Sequence, residues 1–171
     1  MIAADLFHDP DRRSYASMPE ADALTEQGAL QEAALVDVRF DPTTGSVGLL
    51  FDLRGAIQLR DASVALLIAR GVSRFEWTNE RSRPGRTWHA ITGSIPENSD
   101  GRFSLMLGFA SDAELRLEAE GAEFYVGDMA GMDGAPPDFV EDDDETIRAG
   151  MPNWTWTFVP TAATFLDPMN R

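Results

Sequence analysis

The chain has no cysteine and no lysine among its 171 residues. Without thiols there is no disulfide, no thiolate metal site and no cysteine nucleophile. Without lysine no Walker phosphate loop can be completed, and no G-x-G-x-x-G follows a predicted strand, so nucleotide use is not expected. Histidine is almost as scarce: His8 and His89 stand alone in sequence, which leaves no ligand set for zinc or iron. Serine catalysis lacks its elbow, since Gly93-Ser94 runs into Ile95 rather than toward a second glycine. The longest unbroken apolar stretch, residues 64–69, is far short of the roughly 20 residues of a membrane helix. The start, Met1-Ile2-Ala3-Ala4-Asp5, shows neither a positive leader nor an export-length apolar run, and the expected location is the cytoplasm.

What the chain does have is negative charge, a net −15 distributed unevenly. Residues 1–102 carry 15 acids and 11 arginines, whereas residues 103–171 carry 14 acids and only 3 arginines. The acidity peaks in Glu141-Asp142-Asp143-Asp144-Glu145. Like charges so closely spaced must be solvated, paired or bound. A field of this sign repels nucleic acid and anionic membrane and attracts basic partners, so neither nucleic acid nor membrane is an expected partner.

Periodicity indicates a mainly β (α+β) fold: an antiparallel sheet or two-layer β architecture with an N-terminal helix and a short late helix, in one domain over residues 1–171. Residues 1–16 show no period and read as a segment that is mobile or draped over the surface. Ser17 and Glu20 have capping-box spacing, which predicts a helix over residues 18–34. Residues 35–40 and 47–53 alternate around the turn residues 41–45 and predict a hairpin. Strands follow at 63–69 and 72–78, or one long strand bent at Gly71, then at 87–95, 103–109, 113–119 and 122–126. Residues 127–137 form a Gly/Pro/Met-rich loop, and 138–150 contain a short helix closed by Gly150 and Pro152. The alternation of residues 153–158 predicts the last strand.

Among these elements few residues offer chemistry. His89 lies on a predicted strand with no partner assignable by spacing. Asp128, Asp133 and the acidic run lack the alternation and glycine of a calcium loop, and Glu114, Glu118 and Glu123 look like the wet face of a sheet. No catalytic residue, metal site or cofactor is therefore assigned. Trp77, Trp154 and Trp156 fall on alternating strands and are expected in the core. Two surfaces remain. Met129, Met132 and Phe139 adjoin Glu141, Asp142, Asp143, Asp144 and Glu145, combining apolar anchors with a negative field suited to a basic protein partner. Arg83, Arg86, Trp88 and His89 could instead border a pocket for an anionic small molecule.

The order of the hairpin Val38-Arg39-Phe40 to Leu50-Phe51-Asp52-Leu53-Arg54, the strand Val72-Ser73-Arg74-Phe75-Glu76-Trp77, the alternating residues 103–109 and Glu114-Leu115-Arg116-Leu117 resembles small bacterial β-sheet proteins of the toxin-immunity type. The resemblance covers roughly residues 35–127 and rests on pattern, so it transfers no site residue. It implies a non-enzymatic inhibitor that occludes a partner with an acidic surface. The expected function is thus an acidic binding protein with a basic protein partner. The alternative is a small-molecule-binding module or enzyme with an anion pocket near Trp88, His89 and Arg86. A third reading, self-association through exposed strand edges, would show as a stable dimer.

Overall fold

A computed structural model describes residues 1–12, 17–80 and 85–167. Its elements, in chain order, are α1 (Ala3–His8), β1 (Ala34–Asp41), β2 (Ser46–Asp52), β3 (Val64–Arg70), β4 (Arg74–Asn79), β5 (His89–Ser99), β6 (Arg102–Phe109), β7 (Ala113–Ala119), β8 (Gly121–Met129), α2 (Asp144–Ala149) and β9 (Phe158–Leu166). The strands form one antiparallel sheet in the order β4-β7-β6-β5-β1-β2-β3-β8-β9. The fold is therefore mainly β, with one short helix near the N-terminus and another late in the chain. No helix of the described residues is long and apolar enough to cross a membrane.

The sheet has a seam. β1 meets β5 through only two pairs, Ala34 with Ala90 and Leu35 with His89, and the halves on either side share one core. Leu49, Phe51, Leu67 and Phe124 from one half pack with Phe103, Leu105, Leu107, Leu115 and Leu117 from the other. The strict alternation of β6 and β7 makes this possible, because every second side chain points inward and is buried. The opposite face of β2, β3 and β8 is covered too, so those strands are buried on both sides and read as nearly continuous apolar runs. Its cover is α1 together with Met129, Met132, Trp154 and Phe158.

Three expectations need correction. Residues 18–33 are turns and irregular chain, not a helix, and Ala34 already opens β1. Asp22 accepts from the Leu24 amide and the Thr25 hydroxyl, which is the local competition that disfavours helix. Gly28 and Glu32 then take φ of 78° and 64°, outside helical space. Ser17 and Glu20 do not form a box: the Ser17 hydroxyl donates to the Thr161 carbonyl and the Glu20 carboxylate accepts from the Arg60 amide, a bond that holds its pKa below the usual value. The helix near the N-terminus is α1, in the segment expected to be mobile or draped over the surface. Ala3, Leu6 and Phe7 are buried, and Arg70 donates to the carbonyls of Leu6 and Phe7 at 2.8 and 2.6 Å. Residues 13–16 lie outside the described residues. Finally, residues 153–157 turn, with Asn153 Oδ1 accepting from the amide and hydroxyl of Thr155, and the last strand is β9. Its Pro160 is tolerated because β9 is an edge strand with one neighbour.

Candidate functional site

The acidic run and the aromatic-basic segment, far apart in sequence, meet in space. Phe139 sets its ring 5.2 Å from that of Trp88, edge to face, and Arg86 Nε donates to Asp144 Oδ1 at 3.0 Å. Between them lies a cavity of about 440 Å³ bounded by β1 at Leu35, Val36 and Asp37, by Arg86 through His89, and by Phe139 and the residues around α2. That volume is within the range of small-molecule sites.

Local chemistry explains why α2 stands there. Asp143 has extended backbone and its carboxylate accepts from the Thr146 amide at 2.8 Å, an N-cap that lowers its pKa. Asp144 and Glu145 sit in the first turn and Arg148 in the last, each matching the helix dipole. Ile147 is buried and fastens the helix to the body. Just before it, Asp142 accepts from the Asp138 amide at 2.7 Å, and Asp138 accepts from the amide of Val140. Three of the five acids thus bond within the chain. The whole loop is pinned from β2: Arg54 pairs with buried Asp52 and donates to the carbonyls of Gly134, Ala135 and Gly150.

The cavity wall is amphipathic. Arg86 and Arg148 bring positive charge, Trp88 and Phe139 offer ring surface, and Leu35, Ile147 and Met151 add apolar area. Asp37 is the acid on this wall, and Asn153 is the amide. His89 borders the cavity at the start of β5. Its ring lies 5.0 Å from the Trp77 ring and 5.7 Å from that of Phe109, with Nδ1 2.8 Å from the Ser111 hydroxyl. Partial burial lowers its pKa.

Of the sequence-expected residues, Arg86, Trp88, His89 and Phe139 therefore come together with Asp144, and Arg83 lies outside the described residues. Met129 and Met132 are corrected: each is 2% exposed, packed beneath the loop in the core with Trp154 and Phe158, and offers nothing to a partner. Trp154 is buried as expected, whereas Trp77 is 39% exposed. Arg148, Asn153 and Met151 were missed. The one available signal for Arg148 was its position in the last turn of a helix whose start is acidic.

A larger open groove of about 870 Å³ runs between residues 53–63 and 128–136. Three of its polar groups already serve the fold, with Arg54 on loop carbonyls, Asp128 accepting from Ser63 and Arg60 Nε on the Ile57 carbonyl. The smaller cavity is the better candidate because Arg148 is an exposed cation there with no ion pair among the described residues. Those residues also include no group of three His, Cys, Asp or Glu side chains placed to hold a metal ion.

No family model matches the chain, and no curated protein matches it. Among solved structures it is similar to an uncharacterized protein from Neisseria gonorrhoeae, with a TM-score of 0.43 at 9% identity, over 58% of this chain and 94% of the other.

Proposed function

We propose that the protein is a binding module for a small organic anion with an aromatic or apolar body, held in the cavity between β1, the residue 86–89 segment and α2. The observation that carries this reading is the convergence of Arg86 and Arg148, from the residue 86–89 segment and from α2, on one cavity with the Trp88–Phe139 ring pair. Guanidinium groups favour carboxylate and phosphate because their fork matches two acceptor oxygens. The rings supply area that stays favourable whichever apolar body the ligand carries. Asp144 pairs with Arg86, as an exposed carboxylate that a ligand anion can displace or join.

The test is titration with phenyl phosphate, inorganic phosphate and benzyl alcohol, followed by calorimetry and tryptophan emission. Phenyl phosphate should bind more tightly than either half-molecule. Arg148→Ala should weaken it by roughly tenfold or more, the worth of one hydrogen bond to a charged group. No saturable binding of phenyl phosphate at millimolar concentration, or Arg86→Ala and Arg148→Ala variants that bind it as well as wild type does, would refute the reading.

A second reading, capture of a basic protein in the manner of a toxin-immunity inhibitor, draws on one feature. Val140 is 87% exposed and is followed by Glu141, whose carboxylate is exposed, with Glu145 exposed further on. An apolar anchor inside a negative field suits a basic surface. Under this reading Glu141→Gln with Glu145→Gln abolishes salt-sensitive capture and leaves phenyl phosphate binding intact.

A further inference from the structure

β4 is an edge strand. It pairs with β7 on one side, and its other side carries no strand partner among the described residues. Such an edge is a template for another strand unless something blunts it. Here it also shows large apolar side chains: Phe75 and Trp77 are 36% and 39% exposed. They lie opposite buried Leu117 and Leu115, so they continue the inner face of the sheet out to its rim. Arg74, Glu76 and Thr78 alternate with them on the outer face, opposite Glu118, Arg116 and Glu114. Arg74 binds Glu76 and Glu118 at 2.9 and 3.2 Å.

We propose that two copies of this chain associate edge to edge through β4, antiparallel, in the register that sets Phe75 opposite Phe75 of the second copy. Residues directly opposed across an antiparallel pair share a face, so this register fixes every contact. On the outer face Arg74 meets Glu76 of the second copy, and Glu76 meets its Arg74. Including β7, each row then reads Glu118, Arg74, Glu76, Arg116 across four strands, with the sign alternating at every step. On the inner face the row reads Leu117, Phe75, Phe75, Leu117. Sliding one copy by a residue pair in either direction puts Glu76 against Glu76 or Arg74 against Arg74, so the charges select one register. Charge complementarity of this strand with itself, and the exposed ring pair that pairing would cover, are what identify a second copy as the occupant.

The experiment is sedimentation equilibrium of the full chain in moderate salt, up to millimolar concentration. The wild type should dimerise. Arg74→Glu and Glu76→Arg each place like charges opposite one another twice, and each alone should weaken the dimer by roughly tenfold or more. Mixed together the two variants should form a heterodimer, because the first carries acids at both positions of the outer face and the second carries arginines at both. Both side chains are surface-exposed, and far-UV circular dichroism checks that each variant is folded. A monomeric wild type, a dimer indifferent to both reversals, or a mixture that stays monomeric overturns the proposal.

Discussion

Arg54→Met tests how the body of the sheet holds the candidate site. Arg54 follows β2, its side chain is 9% exposed, and its partner Asp52 is fully buried. The guanidinium faces the Asp52 carboxylate on one side and three carbonyls of the loop that leads to and from α2 on the other. Methionine keeps the volume and removes the charge, so the Asp52 carboxylate loses its ion partner and three carbonyls lose a donor. Breaking a buried ion pair from one side costs about 3–5 kcal/mol. At about 2–4 °C per kcal/mol for a chain of this size, the melting temperature should fall by roughly 6–20 °C. Urea unfolding followed by circular dichroism measures the loss. Arg54→Lys should be intermediate, since an ammonium restores the charge but cannot span a carboxylate and three carbonyls with one planar fork. Adding Asp52→Asn to Arg54→Met should recover more than about 1 kcal/mol, because the lone carboxylate is the main cost. At temperatures where the variant stays folded, phenyl phosphate affinity should drop as the loop slackens around Arg148. A loss below about 1 kcal/mol for Arg54→Met, or a lysine variant equal to wild type, would show that the loop is held by its apolar contacts alone and the reasoning fails.

Two further outcomes are expected. Gly127 lies at the irregularity between β8 and β9, where an added Cβ would stand 2.2 Å from the Val159 carbonyl oxygen; Gly127→Ala should lower stability by about 1–3 kcal/mol in urea unfolding, and a midpoint matching wild type would mean that β9 shifts freely. The His89 ring should titrate below the usual 6.5 because burial disfavours its charged form. Below that value the unfolded chain binds the proton more readily than the folded one, so the contribution of His89 to stability is complete above about 6.5 and is lost as pH falls. A proton NMR titration of the ring gives the midpoint, and a value at or above 6.5 contradicts the burial argument.

How much of this was legible in the sequence depends on where each signal came from. Strands β6 and β7 are readable because Phe103, Leu105, Leu107 and Phe109 recur two apart, as do Leu115 and Leu117 between Glu114, Arg116 and Glu118, and the period alone sets their face; the β1–β2 hairpin is readable from the turn residues 41–45 between two such runs. Strand β5 runs past the predicted residues 87–95 to Ser99: a proline such as Pro96 stops an interior strand, yet beyond the seam β5 pairs only with β6, which leaves Pro96 an open edge. Residues 18–34 misled because Ala21, Leu24 and Leu30 are indeed buried, as a helical stripe would be, while the backbone follows the Asp22 carboxylate instead. The contact of Phe139 with Trp88 and of Asp144 with Arg86 had no sequence signal. It arises because Arg54 reaches the loop carbonyls, and a side chain to backbone bond of that separation leaves no period or spacing to read.

The acidic run also bears on which experiments can separate the two functional readings. On charge alone, replacing Asp142, Asp143 and Asp144 with asparagine should cost a basic partner and leave a small anion unaffected. The structure removes that clean division. Asp143 caps α2 and Asp142 closes the turn before it, so their loss disturbs the helix that carries Arg148. Asp144 has the opposite effect, because its carboxylate sits on Arg86 and its removal frees that guanidinium for a ligand. A triple variant would sum a weakening and a strengthening and could read as no change. The informative set therefore separates the acids by position: Asp144→Asn should tighten phenyl phosphate binding, Asp143→Ala should loosen it, and Glu141→Gln with Glu145→Gln should leave it alone. Uniform tightening across all of these would mean that overall negative charge, rather than the position of each carboxylate, governs the cavity, since every one of them makes the protein less repulsive to an anion.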